Sequence, residues 1–534
     1  NDTIETGDDR VIITELYGGS TGRGQLAGIT VNNPFYGYST ITINGGTFKI
    51  LPDDNKEKSK IFSGIYGAGA GGMNSIGYGN DTDETHTPDL SIPYWNTEKT
   101  VMLYGPYAEA KDNLIKYHCY NANDNTYTDV DPTETNTKIV INGGKFGSSD
   151  EAIDGIYAGG SGYMSSGLWT KNKGDNLPKP SIYGGNIYGN KEGNATTLTI
   201  KGGEFYCKNG IFAGGRGTYY YYQQDPYGGT ASDYTDLGKT YGNVELDIHG
   251  GTFHCPVYGG GYGVADAKQY DTKQISTLSN MAKIYGKSTV NIFGGTFYKN
   301  IYGGGDMAQI EYNGDDNATT LNIYDQADIR GSVFAGGNGK KKRLDTVTTI
   351  NDDTQSPELV GRVIGNTSVS FYGSTEMAPY IYGDIYGGGN LAQVEGNTNV
   401  NIYAANFAGQ VFGGGKGRIY NESGVLLSSD LYTSADITGN TSVTLSEDQR
   451  SNDVDKENDK YSINVVWNKM WQSDNTFYTW DSTVKGKDGE TLTPDPTQFF
   501  DNGKYINPHN IYGGGNLACN VSGTAYVTVL KGMT

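Results

Sequence analysis

Residues able to do chemistry are few and scattered in this chain. Five histidines and four cysteines stand among 534 residues. Only His249 and His254 lie on the recurring phrases described below. His249 fills a position that Asn44, Asn142, Lys201 and Phe293 fill in parallel phrases, so it reads as a solvent-facing substitution and not as a catalyst. Glycan cleavage needs two carboxylates on one face, one acting as acid and one as base or nucleophile. The carboxylates here gather instead in loops: Asp53, Asp54, Asp81, Asp83, Glu84, Asp315, Asp316, Asp352, Asp353 and the run from Asp448 to Asp459. No catalytic residue is assigned, and the chain reads as a non-enzyme, with a polysaccharide-degrading β-helix enzyme as the least favoured alternative.

Metal chemistry finds little more. Cys119, Cys207, Cys255 and Cys519 form no CxxC pair, which argues against zinc. Cys207 and Cys255 each follow a Gly-Gly-x-Phe phrase at the same offset, so they fall on neighbouring repeats. They read as two small buried residues or as a disulfide, the second disfavoured by Cβ geometry between parallel strands. No cofactor is expected. Acidic groups such as Asp81, Asp83 and Glu84, or Asp453, Asp455 and Glu457, read as solvated charge runs that leave room for isolated calcium sites. The glycine runs 214–217 and 413–417 are not phosphate loops, because no helix follows them.

Aromatic residues offer the one recognition chemistry. Tyr219, Tyr220, Tyr221 and Tyr222 form a single run, and Trp467, Trp471 and Trp480 crowd another segment with Phe477, Tyr478, Phe499 and Phe500. Exposed rings of this kind stack on sugars or anchor protein partners. The structural alternative is a small hydrophobic cluster that folds each long loop.

These loops hang on a repeat. An aliphatic residue, an aromatic residue and then glycines recur at Ile301-Tyr302-Gly303-Gly304-Gly305, Ile385-Tyr386, Val411-Phe412 and Ile511-Tyr512, with looser copies at Tyr66, Tyr157, Phe212, Tyr258 and Phe334. The aromatic residues Tyr66, Tyr157, Phe212, Tyr258, Tyr302, Phe334, Tyr386, Phe412 and Tyr512 are therefore expected to form a structural ladder, each ring on the next copy. The fullest unit, 288–305, holds two strands with Val290 and Ile292 on one face by period-2 alternation, a Gly294-Gly295 turn, and Phe297 pointing back inward. Gly-Asn precedes several first strands, at Asn243, Asn366, Asn397 and Asn440, where stacked amides suit a hydrogen-bonded ladder.

The period varies from 26 residues (Tyr386 to Phe412) to 100 (Phe412 to Tyr512). A propeller needs near-constant blades, whereas a solenoid admits long corner loops. The expected fold is all-β: a parallel β-solenoid of roughly ten rungs with long loop insertions. Right-handed winding is the default for parallel crossovers. A single solenoid spans 1–534, with insertions at 70–137, 161–196, 216–242, 262–283, 338–365, 416–439 and 446–509, the last expected as a small aromatic-rich subdomain.

Composition sets the setting. Gly numbers 80 and Tyr 43, and the net charge is −20. Such a chain repels phosphate backbones, which excludes nucleic acid, and no apolar run is long enough to span a bilayer. An acidic, glycine- and tyrosine-rich surface suits an extracellular or cell-surface location. The phrases Gly-Gly-Thr-Phe, Ile-Tyr-Gly-Gly-Gly-Asp/Asn and Gly-Asn-Thr-Asn-Val-Asn-Ile (396–402) resemble those of large β-helix repeat proteins on the surface of anaerobic gut bacteria, Bacteroidales among them. That resemblance implies an exported, adhesin-like or filament-like scaffold, and it carries over no catalytic residue. The final first strand, Tyr526–Val529, leaves an open edge, expected to meet a continuing chain or another copy of itself. Glycans and host or bacterial surface proteins complete the expected partners.

Overall fold

A computed structural model describes residues 16–18, 25–26, 29–30, 38–48, 64–69, 93–95, 102–111, 114–121, 126–130, 136–162, 187–188, 193–217, 238–263, 281–339, 360–373, 379–403, 405–407, 409–421, 423–429, 432–445, 500–501, 504–505 and 510–529. The statements below concern these residues. They form an all-β parallel solenoid, with no α-helix among them.

Three parallel sheets run along the stack. The widest is built from long strands, one per rung, from Tyr38–Ile43 through Ser288–Phe297 to Ala525–Val529. Its register is set by burial. Ile139, Leu198, Leu246, Val290, Leu321, Val369, Val400 and Val443 occupy successive rungs of one column, and all are fully buried. Each such side chain contributes about 1.5–3 kcal/mol on burial, and a one-residue slip would turn the whole set outward. At Gly295, with φ of +116°, the strand bends, and the short Thr-Phe segment after it pairs with its neighbours in the same sheet.

The second sheet contains ten short strands of the aliphatic-aromatic phrase, from Leu16–Tyr17 to Ile511–Tyr512. Here both faces of the strand are covered. Ile301 enters the main core, yet Tyr302 beside it is also buried, in a separate aromatic cluster. The glycines that follow permit close stacking: a Cβ on Gly304 would sit 2.7 Å from the Gly337 backbone one rung away.

A third sheet was not legible as a strand in the repeat. It pairs Ile187–Tyr188, Thr240–Tyr241, Ile284–Tyr285, Ile310–Glu311, Val363–Ile364 and Val394–Glu395 in parallel. Each segment is two residues long, too short for a periodic signal. Some lie inside the ranges read as insertions: Ile187–Tyr188 in 161–196, Thr240–Tyr241 in 216–242, and Val363–Ile364 in 338–365. The rung is thus three-sided.

Within the range 70–137, Pro93–Trp95, Met102–Lys111, Leu114–Asn121 and Thr126–Val130 make a separate four-stranded antiparallel sheet. In the range 446–509, Phe500–Asp501 and Lys504–Tyr505 pair as an antiparallel hairpin.

Polar groups inside the rung are spent on the scaffold. Thr137, Thr196, Thr319 and Thr367 are fully buried at the start of their long strands. Their hydroxyls donate to the carbonyls of Ala158, Ala213, Ala335 and Gly387, each the residue just after a ladder aromatic. Val244 replaces this hydroxyl in one rung, and Ser288 of the next rung lies 2.8 Å from the carbonyl of Gly259 and 2.9 Å from that of Gly303. Such pairing removes the cost of a buried, unbonded carbonyl. The asparagines that precede the long strands also bond from rung to rung, through side-chain oxygens that accept from the next backbone. Asn366 Oδ1 accepts from the Asn397 N–H, Asn397 Oδ1 from the Asn440 N–H, and Asn440 Oδ1 from the Thr524 N–H, each at 2.8 Å.

Candidate functional site

The aromatic phrase residues converge into one column. Ring centroids from Tyr17 through Tyr66, Tyr157, Phe212, Tyr258, Tyr302, Phe334, Tyr386 and Phe412 to Tyr512 are 4.7–5.2 Å apart, with interplanar angles of 3–10°. The spacing follows the inter-strand distance of the backbone. Every interior ring has both faces covered by its neighbours.

Along this column runs a polar seam that sequence patterns did not reveal. Ser161, Arg216, Tyr262, Asp306, Asn338 and Asn390 pair as single-residue parallel bridges on successive rungs. Arg216 Nε lies 2.9 Å from Asp154 Oδ2, and its Nη2 donates to Asp154 Oδ1 at 3.2 Å, both side chains being buried. The Tyr157 hydroxyl and Asn209 also donate to Asp154, at 3.0 Å each. Burial, with Asp154 nearby, pushes the Tyr157 phenol well above its ordinary range. Asp306 lies deeper in electrostatic cost. Burial raises its carboxyl to about 6, against the lowering effect of the Asn338 amide that donates to it at 2.9 Å. The arrangement fixes these side chains against one another. A hint existed in sequence: each seam residue falls just after a glycine corner.

A second ring column lies on the outer face of the long-strand sheet. His249, Phe293, Tyr324, Tyr372 and Tyr403 stack at 4.7–5.1 Å. His249 is therefore an outward ring of a ladder. Its faces and those of its neighbours are turned along the stack, so they offer edges to solvent and no flat platform for a sugar.

A further acid–base grouping sits past the Gly-Gly bend. His254 is sandwiched between Tyr206 at 4.0 Å and Tyr298 at 4.7 Å, with Nε2 3.5 Å from Glu204 Oε1. Lys145 pairs with Glu204 at 3.0 Å, and the Tyr206 hydroxyl donates to Glu204 at 2.9 Å. Lys145 and Tyr206 hold the Glu204 carboxyl below its ordinary value, and burial lowers His254. Arg330 lies over the Tyr298 ring at 4.4 Å. A neutral imidazole beside a carboxylate is suited to proton transfer; here Tyr206 and Tyr298 cover both faces of the ring, and Lys145 already pairs with the carboxylate.

Cys207 and Cys255 are free thiols, buried in the main core on neighbouring rungs, and Cys519 is free as well. Among the described residues no group of three or more His, Cys, Asp and Glu comes together as a metal site. Tyr219, Tyr220, Tyr221, Tyr222, Trp467, Trp471 and Trp480 lie outside the described residues, as do Asp81, Asp83, Glu84, Asp453, Asp455 and Glu457. No family model, curated protein or solved structure matches this chain.

Proposed function

We propose that this chain is an extracellular structural and adhesive surface protein, a rigid β-solenoid that displays variable loops. The observation that carries this reading is the state of the rung side chains. Inward hydroxyls bond to corner carbonyls, corner amides bond to the next rung, and both ring columns stack face to face. Recognition chemistry is then left to the inserts, which leave after the glycine corners and vary in length and composition. An adhesin-like protein of gut bacterial surfaces fits this division.

The partners proposed are glycans or surface proteins at the loops, and one more rung at the stack end. At that end Val527 and Val529 are 48% and 61% exposed, whereas Val443 and Leu445, one rung inward, are fully buried. A second copy would complete the same contacts.

The second reading is a carbohydrate-binding module that works through Tyr219–222 and Trp467, Trp471 and Trp480. It is favoured over sugar binding on the rungs because the interior rung rings are covered on both faces by their neighbours. A glycan array probed with the whole chain, and with these aromatic residues changed to Ala, tests it. Loss of binding with an unchanged melting curve supports loop recognition. Undiminished binding by the Ala variant removes these aromatics from the account.

A further inference from the structure

The main core contains a thiol pair. Cys207 and Cys255 are 6% and 2% exposed, and each stands two residues beyond a paired Phe: Phe205 opposite Phe253 in parallel register. The backbone bond from the His254 N–H to the Phe205 carbonyl, at 2.9 Å, locks the strands immediately before the two cysteines. Neighbouring parallel rungs lie about 4.8 Å apart, inside the Cα separation that a disulfide spans. Strict parallel strands keep Cβ atoms at that same spacing, about 1 Å too wide for a relaxed disulfide. One rung here carries extra length. Cys207 opens the strand Cys207–Phe212 and pairs with Ile153 of the preceding rung, and Lys208, Asn209 and Gly210 separate it from Ile211, whereas Pro256 alone separates Cys255 from Val257. Gly210 has φ of +133°, a conformation open to glycine. The irregularity between Cys207 and Gly210 gives this rung two more residues than its neighbour over which a change at Cys207 is absorbed.

We propose that Cys207 and Cys255 are an oxidisable pair that forms a disulfide between neighbouring rungs. The bond would tie two neighbouring rungs together, and the sequence between the cysteines includes the Tyr219–222 run. The reaction is thiol–disulfide exchange with a small-molecule disulfide such as oxidised glutathione. One cysteine thiolate attacks a sulfur of the reagent, forms a mixed disulfide and expels a thiolate. The second cysteine attacks the mixed disulfide, forms the Cys207–Cys255 bond and expels the second thiolate. The two cysteines lose two electrons and two protons, and the reagent becomes two thiols. Burial pushes the Cys207 thiol well above its ordinary value and disfavours the thiolate. Exchange therefore proceeds slowly, through local opening of the rung.

The test uses the full chain with Cys119→Ser and Cys519→Ser, so that no other pairing is available. The folded protein is incubated with oxidised glutathione, quenched with acid, unfolded, alkylated and mapped by mass spectrometry. The expected result is a linked Cys207–Cys255 peptide pair, an intact mass lower by about 2 Da for the two lost hydrogens, and reversal by dithiothreitol. In the Cys255→Ser version of this chain, Cys207 should stop at the glutathione adduct. Two alkylated cysteines after prolonged incubation, or a link that forms only in denaturant, would overturn the proposal. Far-UV circular dichroism on the same samples establishes that the variants are folded.

Discussion

The two ring columns invite direct comparison. The column from Tyr17 to Tyr512 and the column from His249 to Tyr403 stack at the same pitch, because both inherit it from the parallel backbone. Their surroundings differ. Tyr66, Tyr157, Phe212, Phe334 and Tyr386 are fully buried, whereas Phe293 is 36% exposed. The difference teaches that ring stacking is a by-product of register. Burial, and the polar seam beside the inner column, decide how much each column contributes to stability.

The largest expected effect follows from breaking the inner side. Phe334→Ala removes a fully buried ring between Tyr302 and Tyr386, and urea unfolding should show a loss of about 3–5 kcal/mol. Arg216→Ala should act on a similar scale, about 3–5 kcal/mol, because it leaves Asp154 buried without its cation. A loss below about 1 kcal/mol in either variant would mean that the inner column is no more consequential than a surface feature.

The next effect depends on pH. The Asp306 carboxyl is raised to about 6 in the fold, above its ordinary value of 3.8. A raised folded-state value means that the native state holds the proton more tightly than the unfolded chain does. Its stabilising contribution is full below about pH 4 and is lost as pH rises through about 6. Tyr258 and Tyr262 face the same carboxylate, and Arg216 stands two rungs away in the seam. Asp306→Asn, which keeps the shape without the charge, should raise stability at pH 7.5 by an amount on the order of 2–3 kcal/mol and change little at pH 4. Melting curves of both proteins across this range check the sign. A variant that is less stable at pH 7.5 would show that the charge is compensated in the fold.

The smallest effect belongs to the outer column. Phe293→Ala takes away two stacked contacts on an exposed face and should cost about 0.5–1.5 kcal/mol. A cost equal to that of Phe334→Ala would erase the distinction between the columns.

Much of this architecture can be read from residues. Alternation in the fullest unit places Val290 and Ile292 inside and predicts the return of Phe297, and all three are fully buried. The variable period points to a solenoid. The third side of the rung is illegible because pairs such as Ile310–Glu311 contain one inward residue each, too little for periodicity. Simple alternation also misses the burial of both Ile301 and Tyr302, since covering the second requires a seam formed by residues from several rungs. The seam itself joins Asp154 to Arg216, 62 positions apart, and no local spacing announces such a pair. Outward stacking of His249 follows from register once Phe293, Tyr324, Tyr372 and Tyr403 are aligned, although their sequence positions alone suggest only tolerance of substitution.

The central claim is that rungs form the scaffold and inserts carry recognition. The most direct measurement compares three full-length proteins for adhesion to immobilised glycans, bacterial cells and host surface proteins, with melting curves recorded alongside. One is unchanged, one carries Tyr219–222 and Trp467, Trp471 and Trp480 as Ala, and one carries Phe293, Tyr324 and Tyr372 as Ser. The account predicts that adhesion falls at least tenfold in the loop variant with melting unchanged, and survives in the rung variant. Adhesion lost from the rung variant and retained by the loop variant would contradict it.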